Sequence, residues 1–272
     1  MYNDTVVSGN TIPPYNGVAA SRINNYINSL YIDLIGREPT GAELAADFAI
    51  LSADPRSPAL KDKIISKLIS SYACTRRLFE LTSGYMLNGI DSFEIERNIY
   101  LVNLQMQYAE ADGNTFLASI YRNELVKVRD LRDVTSLFHS GAIGIEEMMA
   151  RFIYNFMYDD INMGSENFVK ASFENLLYRL PTESELANGI RMVDGQPGIV
   201  FLKDGTSKAA YVDIMTSSDA FYEGRVTDAY QRFLQRKPTT LEAGEEAKAL
   251  AVSKDIKALH ASILKSEEYA GF

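Results

Sequence analysis

The apolar residues of this chain recur mostly at helical spacing. Ile23, Tyr26, Ile27, Leu30, Tyr31 and Leu34 form one stripe of a helix predicted over about 18–35, because residues three and four apart share a helix face. The same periodicity predicts helices near 40–51, 60–72, 75–88, 92–110, 114–128 and 144–158. It resumes near 166–179, 182–193, 207–217, 219–234, 240–252 and 254–265. Only Ile199-Val-Phe-Leu202, bracketed by Gly-rich turns at 194–198 and 204–205, suits strands. The expected fold class is all-α: a helical repeat or orthogonal bundle of about ten to twelve helices, with at most one short hairpin near 199–206.

One stretch occurs three times. Tyr31-Ile-Asp-Leu-Ile-Gly-Arg37-Glu-Pro39-Thr40-Gly-Ala-Glu43 is matched by Phe173 to Glu185 and by Tyr230 to Glu242. Each copy places an aromatic residue six positions before Arg37, Arg179 or Arg236. Apolar residues follow it on the same face. Pro39, Pro181 and Pro238 cannot continue a helix, since proline lacks the N–H and clashes with the preceding turn. Thr40, Thr182 and Thr239 then suit N-caps. Glu43, Glu185 and Glu242, three residues on, complete capping boxes. Each unit is therefore expected to stop one helix and start another. The arginines are expected to complement helix C-termini and to pair with the capping glutamates. A shared ending, Ser266-Glu-Glu-Tyr269 matched by Ser218-Asp-Ala-Phe221, reads as a Ser cap with an aromatic packing back. Arg179 and Arg236 lie one unit apart, whereas residues 74–165 carry no clear copy and read as an insertion or a decayed unit. The organisation expected is an extended segment over 1–17, a helical domain over 18–165 and a second over 166–272, or one continuous body.

Composition narrows the classes. Hydrophobic residues make up 46% and charged residues 23%, which describes a globular chain. The net charge of −9 argues against nucleic acid or an anionic membrane as partner. No apolar run reaches the roughly 20 residues that span a bilayer. Cys74 is the only cysteine, so no intrachain disulfide can form. It reads as a buried thiol, with His139 and His260 the only imidazoles for a catalytic pair. The first residues have no basic region or apolar core, so they do not read as a signal peptide.

Candidate chemistry is sparse. Phosphate loops, zinc spacings and nucleophile elbows are absent. Glu94 with Glu96, Glu146 with Glu147, and Asp159 with Asp160 are the acid pairs available for a hydrolase. Neighbouring acids on a helix point about 100° apart, however, which does not suit joint action on one bond. Asp160, Asn162 and Glu166 alternate oxygen donors like the start of a calcium loop. The sixth-position Gly and twelfth-position Glu of an EF-hand are missing. The 196–204 loop, with Gln196, Phe201 and Asp204, is the expected contact with a partner.

The whole pattern, aromatic–x–x–Leu–Leu–x–Arg–x–Pro–Thr–x–x–Glu with a later Leu–x–x–Ser–x–x–Tyr/Phe, resembles two related groups of uncharacterised bacterial helical domains. One is the repeat of secreted and surface-layer-type proteins. The other sits beside cytochrome modules in planctomycete-like envelope proteins. The likeness covers mainly residues 23–72 and 168–272. It implies a bacterial, extracytoplasmic setting in the periplasm or at the cell surface, lipoproteins included, and it transfers no catalytic residue. Cys-x-x-Cys-His is absent, so haem attachment is not expected, and neither is any other cofactor. The function expected is a non-catalytic binding or scaffold module of an envelope or surface assembly, its partner another envelope protein or a glycan. An envelope-polymer hydrolase and a calcium-stabilised adhesion domain are the alternatives.

Overall fold

The computed structural model describes residues 17–272. The lead-in expected over 1–17 therefore lies, apart from Gly17, outside the described residues. The first repeat unit contains α1 (Ala20–Ile35), α2 (Gly41–Leu51) and α3 (Pro58–Ile69). The second contains α10 (Ser165–Leu177), α11 (Glu183–Val193), the strands β1 (Gly198–Val200) and β2 (Lys203–Gly205), and α12 (Lys208–Thr216). The third contains α13 (Asp219–Leu234), α14 (Thr240–Ser253), α15 (Ile256–Lys265) and the closing turn α16 (Glu267–Ala270). Between the first two units lie α4 (Tyr72–Met86), α5 (Ser92–Ala111), α6 (Thr115–Arg132), α7 (Val134–Ser140), α8 (Ile145–Ile153) and α9 (Phe156–Ile161). The fold is all-α, and β1 and β2 form its one antiparallel hairpin among the described residues.

The sixteen helices of the described residues exceed the ten to twelve read from periodicity, and short pieces make the difference. The helix expected over 144–158 is two helices. Asn155 breaks it by accepting from the Met157 and Tyr158 N–H groups and donating to Phe152 O at 3.0 Å. A polar side chain that satisfies four-residue ends on both sides ends one helix and starts another. Met148, Met149, Phe152, Ile153 and Met157 are all buried. Helix α6 runs on to Arg132, and α7 follows after Asp133 alone.

The middle segment carries its own version of the corner. Asp91 and Glu94 form a fourth capping box, with Asp in the role of Thr. Ser71, Ser218 and Ser266 start α4, α13 and α16, each hydroxyl accepting the N–H three residues on, at 3.1–3.2 Å. Asn155 holds the equivalent place before Tyr158.

The last unit packs on the first. Tyr26 Oη donates to Leu264 O at 3.0 Å, and the Tyr26 ring meets the edges of Tyr269 and Phe272. Tyr269 Oη donates to Asp33 Oδ2 at 2.7 Å, Arg232 donates to Asp33 O, and Lys265 pairs with Asp62 at 2.9 Å. One cluster of buried apolar residues therefore extends from Val18 to Phe272. Units two and three meet where α13 crosses the end of α10. A Cβ at Gly224 would lie 2.1 Å from Leu176 O, so only glycine permits that approach. The next residue, buried Arg225, donates to Asn175 O at 3.0 Å and Leu176 O at 3.1 Å, two of the carbonyls left open by the end of α10.

Candidate partner-binding corner

The three corners share one geometry. Each first helix ends on a left-handed residue: Gly36, Tyr178 or Gln235, with φ of 80°, 55° and 54°. The sequence shows a glycine there only once. Elsewhere the packing of the corner imposes the conformation on a residue that disfavours it. The arginine follows that turn and so lies beyond the helix, not in its last turn. Arg37, Arg179 and Arg236 each donate to the carbonyl of the next residue, at 2.8, 3.1 and 3.1 Å. Each also forms a two-pronged pair with its glutamate, at 2.6–2.9 Å. Each guanidinium lies over the aromatic six positions earlier: Tyr31 at 5.7 Å, Phe173 at 5.0 Å and Tyr230 at 5.1 Å. A flat cation matched to a carboxylate and a ring face explains why arginine stands at this position.

The glutamate closes the corner from the other side. Its carboxylate accepts from the N-cap Thr N–H at 2.7–2.8 Å, and its own N–H donates to the Thr hydroxyl at 3.3 Å. Hydrogen bonds from the arginine, and then from the threonine, hold the carboxyls of Glu43, Glu185 and Glu242 down at about 2. At the third corner Arg236 also pairs with Glu268 at 2.6 Å, which ties α16 to the turn. Each arginine bonds the glutamate of its own corner, and no partner is common to two of them.

The second corner differs by what is built on it. The β1–β2 hairpin pairs Gly198 with Gly205, Ile199 with Asp204 and Val200 with Lys203. Phe201 and Leu202 make its two-residue turn, both left-handed at φ 51° and 60°. Such turns favour Asn-Gly, and two bulky residues there are strained. The hairpin base is fixed by Asn188 Oδ1, which accepts from the Ile199 N–H at 3.0 Å, and by Arg191 Nε, which donates to Pro197 O at 2.7 Å. Its turn is fixed by Phe201, whose ring packs on Phe173 and on the Arg179 guanidinium. Leu202 is left 98% exposed, Ile199 58%, and Leu180, next to Arg179, 64%. Glu38 and Lys237 stand where Leu180 does in the other corners. Gln196 and Asp204 are exposed on the same hairpin.

Other sequence candidates are placed less favourably for chemistry. Glu146 and Glu147 both line a cleft of about 380 Å³ between α6, α8 and α12, together with Asp130 and Asp213. Glu146 is held by Tyr222 Oη at 2.8 Å and Lys254 at 3.2 Å, and Glu147 by Arg151 at 2.9 Å. Glu94 is used in its capping box, Glu96 faces Arg132 at 3.9 Å, and Asp159 pairs with Lys208. Asp160, Asn162 and Glu166 do not converge. Asp160 is within α9, the Asn162 amide donates to Tyr158 O, and Glu166 pairs with Lys170 in the first turn of α10. Too little loop separates α9 from α10 to wrap an ion, and among the described residues no three His, Cys, Asp or Glu side chains gather as a metal site. Cys74 and His260 line one small void of about 20 Å³. Burial pushes the thiol up and the imidazole down to about 3, which opposes a thiolate–imidazolium pair. Among the described residues no helix is long and apolar enough to cross a membrane. No family model matches the chain, and no curated protein or solved structure matches it either.

Proposed function

We propose that the chain is a non-catalytic binding module of a bacterial envelope or surface assembly, and that its partner, another envelope or surface protein, docks on the hairpin turn beside the second corner. One observation carries this reading: a turn whose two bulky residues are both left-handed, with Leu202 fully presented to solvent. Local strain that persists beside an anchored neighbour marks a place where geometry serves a purpose other than stability. Leu180, next to Arg179 in the chain, and Ile199 on β1 are exposed as well. The repeated residues support a scaffold role, since each is spent on corner geometry. The bacterial, extracytoplasmic setting rests on the resemblance of the corner motif.

The test is capture from native envelope extracts by the wild-type chain and by Leu202→Asp and Leu180→Asp variants. A protein retained by the wild type and lost by both variants is the expected outcome. Equal capture by all three, or capture of glycan alone, overturns the docking site. Turnover of glycan or peptide substrates that disappears in Glu146→Gln or Glu147→Gln would replace the reading with the hydrolase alternative.

A further inference from the structure

The three corners differ in what lies on the outer edge of their arginines. At the third, Arg236 Nε donates to Glu268 Oε1 at 2.6 Å and Nη2 donates to Glu268 Oε2 at 2.7 Å. Its Nη1–Nη2 edge holds Glu242 at the same time. One guanidinium thus grips two carboxylates, which its five donors allow. Glu268 is the second residue of α16, two positions after the capping Ser266. The same position is Ala73 in α4, two after Ser71, and Ala220 in α13, two after Ser218. Neither alanine can supply a carboxylate. At the second corner the Phe201 ring covers the Arg179 guanidinium instead, at 5.8 Å.

At the first corner the outer edge is open. Arg37 Nη1 and Nη2 bond Glu38 O and Glu43, and Arg37 Nε has no hydrogen-bond partner among the described residues. The Arg37 side chain is 48% exposed, against 33% for Arg236. Beside it lies a cleft of about 530 Å³, lined by Ala73, Arg37, Lys67 and Arg76, with Ile35 and Leu68 as its apolar wall. That size falls within the roughly 300–1,000 Å³ of small-molecule sites. Arg37, Lys67 and Arg76 each pair with one acid, Glu43, Asp47 and Glu80, at 2.8, 2.6 and 3.4 Å. The cleft therefore holds no excess of carboxylate to repel an anion, and Arg37 keeps a two-donor edge in reserve.

We infer that the first corner is a carboxylate-binding site, in which a ligand takes the Nε–Nη2 edge of Arg37 as Glu268 takes that of Arg236. The hydrocarbon part of the ligand lies against Ile35 and Leu68. A small organic acid and an acidic side chain of another protein carry the same chemistry, and the test separates them. This site is distinct from the hairpin turn, so its test does not depend on the partner proposed above. The Arg37 Nε–H resonance is followed by NMR near pH 6 at constant ionic strength. Sodium propionate is added to one sample, and the peptide acetyl-Ser-Glu-Glu-Tyr-amide, which copies residues 266–269, to another. A saturating shift is expected, with a dissociation constant on the order of millimolar, the strength of one two-pronged pair with modest apolar backing. Propionamide and the peptide with Gln for Glu should shift nothing. A peptide at least about tenfold tighter than propionate assigns the site to an acidic protein segment, and a smaller difference assigns it to a small acid. Ala73→Glu should move the Arg37 resonance without ligand and block propionate. It should also melt about 1–3 °C above Ala73→Gln, a gain that high salt removes. Absence of a saturating shift with both probes overturns the inference. So does an equal shift from the uncharged analogues, or propionate binding that persists in Ala73→Glu.

Discussion

The second corner and the third are built from the same parts and finished differently. In both, an arginine grips a glutamate and lies over a ring. At the third, the same arginine holds Glu268, and the turn is closed by more of its own chain. At the second, Phe201 completes the stack and a strained hairpin is left pointing at solvent. The contrast separates two uses of one motif. The motif joins one helix to the next through a turn braced by its own arginine and glutamate, and that joint can either be closed by more of the chain or carry a hairpin.

The largest expected effect breaks this comparison at the ring. Phe173→Ala should cost about 3–5 kcal/mol, as for a fully buried aromatic, and should also free the hairpin. Tyr230→Ala at the third corner should lower the melting temperature without changing amide exchange in 198–205. Matching exchange in both variants would show that Phe173 does not hold the hairpin.

Acid should act on all three corners together. Glu43, Glu185 and Glu242 titrate near 2 when folded, below their ordinary 4.5. Their contribution is complete above about 4.5 and is lost as pH falls toward 2. Buried His260 adds an earlier limb of the same sign. Its folded value is about 3 and its ordinary one 6.5, so the unfolded chain takes up the proton first and stability falls below about 6.5. Melting temperatures measured against pH should show both limbs, and His260→Phe should remove only the upper one.

The capping threonines sharpen the comparison by being alike. Thr40→Ala, Thr182→Ala and Thr239→Ala should each cost about 1 kcal/mol by chemical denaturation. The triple variant should cost close to their sum, because separate corners do not share partners. The smallest effect has the opposite sign. Leu202→Gly should raise stability by roughly 0.5–1 kcal/mol, since glycine accepts a left-handed turn and the leucine packs on nothing. A partner bound through Leu202 should be lost at the same time.

Much of this architecture was legible because it is local. Thr-x-x-Glu after proline announces a helix start, and all three starts occur at Thr40, Thr182 and Thr239. Asp91-x-x-Glu94 has the same capping form, but it lacks the proline and arginine that mark the other three. The ring beneath each arginine lies six residues back on the preceding helix and comes into reach only once the corner turns. The left-handed Tyr178 and Gln235 were hidden for another reason, since neither residue favours that conformation and only surrounding contacts select it. The hairpin was visible from its flanking glycines, but its anchoring on Phe173 and Arg179 was not, because that contact joins distant segments. The packing of the last unit on the first depends on pairs such as Tyr26 and Leu264, separated by most of the chain.

That contact also changes what the end units have to do. An open array of repeats lengthens by copying a unit at either end. Here the first unit and the last meet each other, with Tyr26 against Tyr269 and Phe272. Helices α5 and α6 lie between the first two units in the chain and pack chiefly on each other. The first and last units thus cover each other, the task that dedicated capping repeats perform in an open array.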